Sequence, residues 1–312
     1  MNLIVHHWDT DGITSTALLV KAIKLEDFIN MTAPIGEFLF DERIWKAVEN
    51  AERLYVLDFN VPGEVEKVRV PTLFIDHHSQ PRIKNPRVEQ VNPSLEGNYY
   101  PSCSLVVSER FNLFNAWTAL GVVGDIGERA FEVERIRKLL KRENLSREEA
   151  LRLVELMDSN YITVDREAVE EAVIVLLNHE VKELLEYEPW LKKAEAIRKA
   201  IEEAVSKVEN RNGFAFVRFR SPYNVISKVA RKLVWEMKYR GAIVINGDFH
   251  GKAQLYFRLS PKEAEGFDMK GLIERVRKTG ANAGGKREVL GCVCERGKVE
   301  EVLRLIENRL GW

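Results

Sequence analysis

Four short segments of this 312-residue chain concentrate histidine and aspartate: His7-Trp8-Asp9-Thr10-Asp11-Gly12, Asp58 in LDFN, Asp76-His77-His78, and Asp125 in GVVGDIGER. Imidazole nitrogen and carboxylate oxygen in one set suit borderline to hard divalent cations, Mn²⁺ first and Mg²⁺ second. Zn²⁺ would recruit more histidine or cysteine. Taken singly, Asp58 or Asp125 is as well explained by capping a helix or closing a turn. Asp9 and Asp11 likewise sit where a helix opens near Gly12. Two carboxylates so close repel one another unless a cation or a helix dipole compensates them. Together, with two adjacent histidines following Asp76, the clusters point to metal-assisted chemistry.

Such ligands need a frame that brings distant segments to one edge. The apolar runs Leu3–Val5, Leu54–Leu57 and Leu73–Ile75 read as short strands, and the stretch after Gly12 has helical spacing. Short apolar strands alternating with helices predict a mostly parallel sheet covered on both faces, whose carboxyl edge gathers ligands. The four clusters are therefore expected at strand ends. Residues 131–186 read as helical, with Ser146 and Glu149 spaced as a capping box. The segment 189–212 reads as one connecting helix, started by Pro189 and ended by Asn212-Gly213. Strands and helices then alternate again to the end. The expectation is an α/β chain with a catalytic domain over 1–188, a connecting helix over 189–212 and a smaller α/β domain over 213–312.

The net charge of −1 conceals an uneven distribution: residues 211–312 hold 21 Lys and Arg against 11 Asp and Glu, while 1–210 carry a net −11. An acidic part suits cations and a basic part suits a phosphate-bearing partner, although two solvated surfaces of opposite sign would look the same. The three cysteines, Cys103, Cys292 and Cys294, form no disulfide framework, and the last two are expected to be ordinary strand residues. No run approaches the roughly 18 apolar residues that span a bilayer. The opening MNLIVHHWDTDG is too soon interrupted to act as a signal peptide, so a cytoplasmic protein with no membrane partner is expected.

HWDTDG, LDFN, IDHHSQP and GDIGER resemble, in order and spacing, the four motifs of the DHH phosphoesterases, the RecJ-like superfamily. Val91-Asn92-Pro93 and Ser102-Cys103-Ser104 add weaker similarity. The C-terminal ANAGGKREVLGCV resembles the glycine-rich signature of the DHH-associated domain, with Lys286 and Arg287 where that signature has histidine. The resemblance implies two metal ions: Asp9, Asp58 and His7 around one, and Asp11, Asp58, His77 and Asp125 around the other, with Asp58 bridging. His6 competes with His7 for its role. His78 would meet the scissile phosphate, oriented by Asp76. Arg258, Gly284, Gly285, Lys286 and Arg287 would bind substrate phosphate, in preference to the alternative that the glycines only form a simple turn between helix and strand.

The activity implied is two-metal phosphodiester hydrolysis. Its expected form is an exonuclease releasing nucleoside monophosphates from single-stranded DNA or RNA. Similarity to short archaeal RecJ-like enzymes favours 3′→5′ polarity, and DNA repair or replication proteins would be its partners. The basic C-terminal part with Phe214, Phe216, Phe219, Tyr223, Tyr256 and Phe257 fits a stacking track for unpaired bases. The alternatives are an oligoribonuclease, a cyclic-dinucleotide phosphodiesterase or a nucleotide bisphosphate phosphatase. A non-catalytic scaffold is disfavoured because every ligand position is filled.

Overall fold

The computed structural model describes all residues, Met1–Trp312. They form two compact units: Met1–Tyr161 with Asp165–Ala194, and Ile162–Val164 with Glu195–Trp312.

The first unit is built on five parallel strands, β1 (Asn2–His6), β2 (Phe28–Met31), β3 (Arg53–Leu57), β4 (Thr72–Ile75) and β5 (Val88–Val91), in the order β2-β1-β3-β4-β5. Its helices are α1 (Thr10–Ile23), α2 (Glu42–Glu49), α3 (Pro62–Val65), α4 (Cys103–Phe111), α5 (Ala116–Ile126), α6 (Glu134–Arg142), α7 (Arg147–Ile162) and α8 (Arg166–Asn178). Leu3–Val5, Leu54–Leu57 and Thr72–Ile75 are buried without alternation, as strands covered on both faces must be. β2 and β5 escaped the sequence reading because they are edge strands of four residues, half-exposed and without an apolar run. The chain leaves β1 to one side to make β2, then returns to β1's other side with β3. That reversal opens a crevice at the carboxyl ends of β1 and β3, where ligands of such sheets collect.

Helix ends follow their caps. Asn115 and Thr118 form a capping box at the start of α5, and Ser146 and Glu149 reciprocate before α7 as expected. One expectation fails here: Asp125 lies in the last turn of α5, not at a strand end. The run Leu120-Gly121-Val122-Val123 looks strand-like only because that helix is buried over most of its turns.

α9 (Glu188–Val205) falls across the division between the units, and it ends well short of the expected 212. Asn212 (φ 53°) and Gly213 (φ 83°) instead turn a hairpin between β6 (Glu209–Arg211) and β7 (Phe214–Phe219). Two successive positive φ values are what a two-residue hairpin turn demands, and Asn-Gly supplies them. The second unit continues with α10 (Ile226–Arg231), β8 (Gly241–Phe249), β9 (Lys252–Leu259), α11 (Pro261–Ala264), α12 (Met269–Lys278), β10 (Asn282–Lys286), β11 (Val289–Glu295) and α13 (Val299–Leu310). Its six-stranded mixed sheet has the order β10-β11-β9-β8-β7-β6. Cys292 and Cys294 are buried strand residues, as expected. No helix is long and apolar enough to cross a membrane.

Candidate metal centre

The crevice gathers all six expected ligands of the first unit. His7 and Asp9 follow β1, Asp58 follows β3, and His77 follows β4; Asp11 comes from the first turn of α1 and Asp125 from the last turn of α5. They fall into overlapping groups whose donor atoms all lie within 4.8 Å of one another: His7 with Asp9 and Asp58, Asp58 with Asp76, His77 and His78, and Asp11 with His77 and Asp125.

Asp58 belongs to two groups through different oxygens. Its Oδ2 lies 3.6 Å from His7 Nδ1, and its Oδ1 lies 3.5 Å from His77 Nε2. Only 1% exposed, it has no hydrogen bond on either oxygen. Its backbone is left-handed, φ 57°, a conformation that aspartate and asparagine tolerate better than most residues. Asp76 Oδ2, His7 Nδ1 and His77 Nε2 are also buried without a hydrogen-bond partner. Buried polar atoms are rarely left so, and five in one crevice mark the place of something that binds them. Imidazole nitrogens beside carboxylate oxygens are donors for a divalent cation, so the residues present fit the expected metal ions.

The remaining hydrogen bonds aim these atoms. Asp9 uses one oxygen to cap α1, accepting from the Gly12 amide at 3.1 Å, and presents the other to His7 Nδ1 at 2.9 Å. Capping and ligation are thus compatible in one side chain. Asp11 accepts from the amides of Cys103 (2.6 Å) and Ser104 (2.9 Å), so it caps α4 rather than its own helix. His77 Nδ1 is 3.0 Å from the carbonyl oxygen of Tyr100. A carbonyl only accepts, so that nitrogen carries the proton and leaves Nε2 to face Asp58 and, at 3.1 Å, Asp125. Asp76 Oδ1 accepts from the amides of His77 and His78 and from His78 Nδ1 at 2.8 Å. His78 is the most exposed of the set, 44% for its side chain, and its other nitrogen is free to meet a ligand.

Crowded carboxylates in a buried crevice resist ionisation. Burial, and then the charges of Asp11 and Asp9, push the Asp58 carboxyl well above the usual range. Burial and the Asp125 charge lift Asp11 to about 7. Burial works against charge on His77, but its close pairing with Asp125 and the neighbouring carboxylates outweigh that and raise it to about 10. Without a metal, protons hold the site together.

His6, the competitor of His7, points elsewhere. It is fully buried, with Nδ1 against the His7 carbonyl (2.7 Å) and Nε2 near Asn30 (3.3 Å), and burial lowers it to about 4. Two glycines are spacers for the cluster. A Cβ on Gly12 would stand 2.3 Å from the His7 carbonyl oxygen, and one on Gly121 would stand 2.5 Å from Asp11 Oδ1. Neither Gly121 nor the Tyr100 carbonyl could be picked out from the sequence, because both act through partners distant along the chain. Asp158 on α7 is a further support, bonded to the amide and hydroxyl of Thr10.

In the second unit the expected phosphate-binding residues separate. Arg258 pairs with Val289, which pairs with Lys286, and Gly284 pairs with Gly291 beside Tyr256. Arg258, Lys286 and Gly284 therefore share one sheet face, while Gly285 belongs to the other and Arg287 to the turn. A Cβ on Gly285 would meet the Val289 carbonyl oxygen at 1.8 Å, so this glycine is required by the hairpin itself. Arg258 is 6% exposed, stacked on Trp235 at 4.8 Å, with its Nε unpartnered. The stacking track is corrected: Phe214, Phe216, Phe219 and Phe257 are all buried, because Phe214, Phe216 and Phe257 belong to the core of the second unit and Phe219 packs on the opposite, also covered, face of β7.

The family model of the DHH family, N-terminal domain, matches residues 2–119. This chain carries a DHH-family N-terminal domain. That DHH domain holds all the metal-type residues except Asp125, which follows on α5. Among solved structures, a DHH domain described as a member of the S1p family of ribosomal proteins is 17% identical, covers 99% of this chain and 86% of its own, and has a TM-score of 0.72. RecJ from Thermus thermophilus in complex with Mn²⁺ is 17% identical with a TM-score of 0.67; the match covers 100% of this chain and only 52% of RecJ. The pGpG-specific phosphodiesterase PggH from Vibrio is 15% identical, with coverage of 99% and 98% and a TM-score of 0.58. At these identities the likeness is one of fold, that of the DHH-family phosphoesterases. No curated protein matches the sequence.

Proposed function

We propose that this DHH protein is a metal-dependent phosphodiesterase that removes nucleoside monophosphates from an end of single-stranded nucleic acid. The observation that carries the hydrolytic reading is Asp58: buried, with neither oxygen hydrogen-bonded, and set between two histidine–carboxylate groups. Two divalent ions there, Mn²⁺ by the donor set, would supply Lewis-acid stabilisation of charge on the phosphoryl oxygens. His7, Asp9 and Asp58 would hold one, and Asp58, His77, Asp11 and Asp125 the other. The chain's own part is to fix these donors before substrate arrives. The Tyr100 carbonyl sets the tautomer of His77, and Asp76 holds His78 so that its free nitrogen faces the phosphate. In the second unit, Arg258, Gly284 and Lys286 would bind a phosphate, since a buried guanidinium without a carboxylate partner suits an anion.

A second reading, hydrolysis of a dinucleotide, draws support from the burial of four of the six aromatics once expected to stack along a strand. The name of the pGpG-specific relative points the same way. Digestion of single strands labelled at either end, in Mn²⁺ or Mg²⁺ and beside a dinucleotide, separates the two. Stepwise loss from the 3′ end, with binding that strengthens with length and weakens with salt, supports the exonuclease. Equal cleavage of a dinucleotide and a twenty-mer would replace it with the second reading. No hydrolysis of either would refute both.

A further inference from the structure

The loop between β2 and α2 carries an aromatic ring whose environment neither the metal cluster nor the core requires. Phe38 is 57% exposed, yet it is firmly supported. Its ring stacks on that of Phe59 at 5.8 Å and 27°, and on the imidazole of His7 at the same distance and angle. The Trp8 indole meets it edge-on at 5.2 Å. Phe59 in turn stacks on Phe40 at 6.4 Å. Phe59, Trp8 and Phe40 are themselves buried, so the ladder beneath Phe38 is part of the core. An ordinary surface phenylalanine lies loosely against its neighbours. This one is held by three rings on its inner side, and its outer side is left to water.

Its position says what would cover it. His7 reaches Asp9 at 2.9 Å and Asp58 at 3.6 Å, so Phe38 stands beside the group where a substrate phosphate would be drawn in. The part of a nucleotide bonded one sugar away from that phosphate is a flat aromatic base, which stacks on an aromatic side chain whatever its sequence. Phe38 has no polar atom with which to read base edges.

Resting on the phosphodiesterase reading, we propose that Phe38 is the base-stacking platform of this site: the nucleoside attached to the phosphate at the His7–Asp9–Asp58 group lays its base on the exposed face of the ring. The substrate class is thereby narrowed to phosphoesters that carry a nucleobase, with purines held better than pyrimidines because they cover more of the ring. Sugar phosphates and inorganic polyphosphates would gain nothing from it.

Titration calorimetry of the Mn²⁺-loaded full chain with AMP and with ribose 5-phosphate tests this. Wild type should bind AMP about ten- to a hundredfold more tightly than ribose 5-phosphate. In Phe38→Ala that ratio should fall to about one, through weaker AMP binding alone, and Phe38→Tyr should restore it. Manganese stoichiometry and circular dichroism should match wild type in both variants. A wild-type ratio near one, a ratio unchanged in Phe38→Ala, or equal weakening of both ligands would each overturn the proposal, the last by showing that the ring serves only to support His7. A wild type that shows the ratio but hydrolyses no phosphodiester would refute the proposed activity and leave the platform standing.

Discussion

Replacing Asp58 by asparagine should make the metal-free protein more stable and abolish its activity. The carboxyl is almost wholly buried, and burial together with the Asp11 and Asp9 charges raises it well above its ordinary value. The native state therefore holds its proton to a higher pH than the unfolded chain, where the group titrates near pH 3.8. Native protein binds more protons than unfolded protein above that pH, so stability falls as pH rises through the window. About three pH units separate that value from neutrality, and each is worth 1.36 kcal/mol, which sets a ceiling of about 4 kcal/mol at pH 7. A neutral carboxyl and an amide bring similar polar atoms into the same space, so their desolvation nearly cancels. Asparagine also accepts the left-handed backbone at φ 57°, where alanine would add roughly 1–2 kcal/mol of strain. The expected gain is positive and no larger than that ceiling, or at most about 12 °C in Tm for a unit of this size. Thermal unfolding with chelator at pH 7 and at pH 4 reads it, and at pH 4 the gain should nearly vanish. Added Mn²⁺ should reverse the order, because only wild type keeps the Asp58 carboxylate to bind it. A variant no more stable than wild type at pH 7, or stabilised equally at both pH values, would refute the reasoning.

The metal-free wild type as a whole should lose stability as pH rises from about 4 toward 7, since Asp11 also titrates near 7, and further toward about 10 as His77 gives up its proton; denaturant midpoints across that range in chelator check the slope, and Mn²⁺ should flatten it. Gly121→Ala should lower Mn²⁺ affinity at least tenfold and destabilise the fold by about 1–3 kcal/mol, because its Cβ would fall 2.5 Å from Asp11 Oδ1 and 2.2 Å from Ser104 Oγ; normal metal affinity would mean that α5 gives way freely. Asp76→Asn should leave metal stoichiometry intact but reduce kcat about ten- to a hundredfold by releasing His78, a split seen by comparing bound manganese with steady-state rates. Lys286→Ala should raise KM about ten- to a hundredfold with kcat and metal content unchanged, and an unaltered KM would remove this residue from the substrate site.

Local chemistry and spacing were enough to pick out the His- and Asp-rich clusters that the fold brings together. His7, Asp9, Asp58 and His77 stand directly after strands that are apolar because both faces of the sheet are covered, and that pattern is written in consecutive residues. The capping box at Ser146 and the strand placement of Cys292 and Cys294 were legible for the same reason. Elements whose identity depends on neighbours were not. β2 and β5 are recognisable only once paired at the sheet edges, and Asn212-Gly213 reads equally as a helix stop or a hairpin turn until β6 finds β7.

What the site can do was decided by contacts between residues far apart in the chain. The amides of Cys103 and Ser104 turn Asp11 inward across more than ninety residues, and the Tyr100 carbonyl selects which nitrogen of His77 is free. The choice of His7 over His6 follows from the strand's pleat, which buries one and turns the other to Asp9. Residue types and their spacing determined which donors the chain possesses. Burial determined that Asp58 has no partner of its own, and only packing could do so, because desolvation is set by everything that surrounds a group and by nothing within its own segment of sequence.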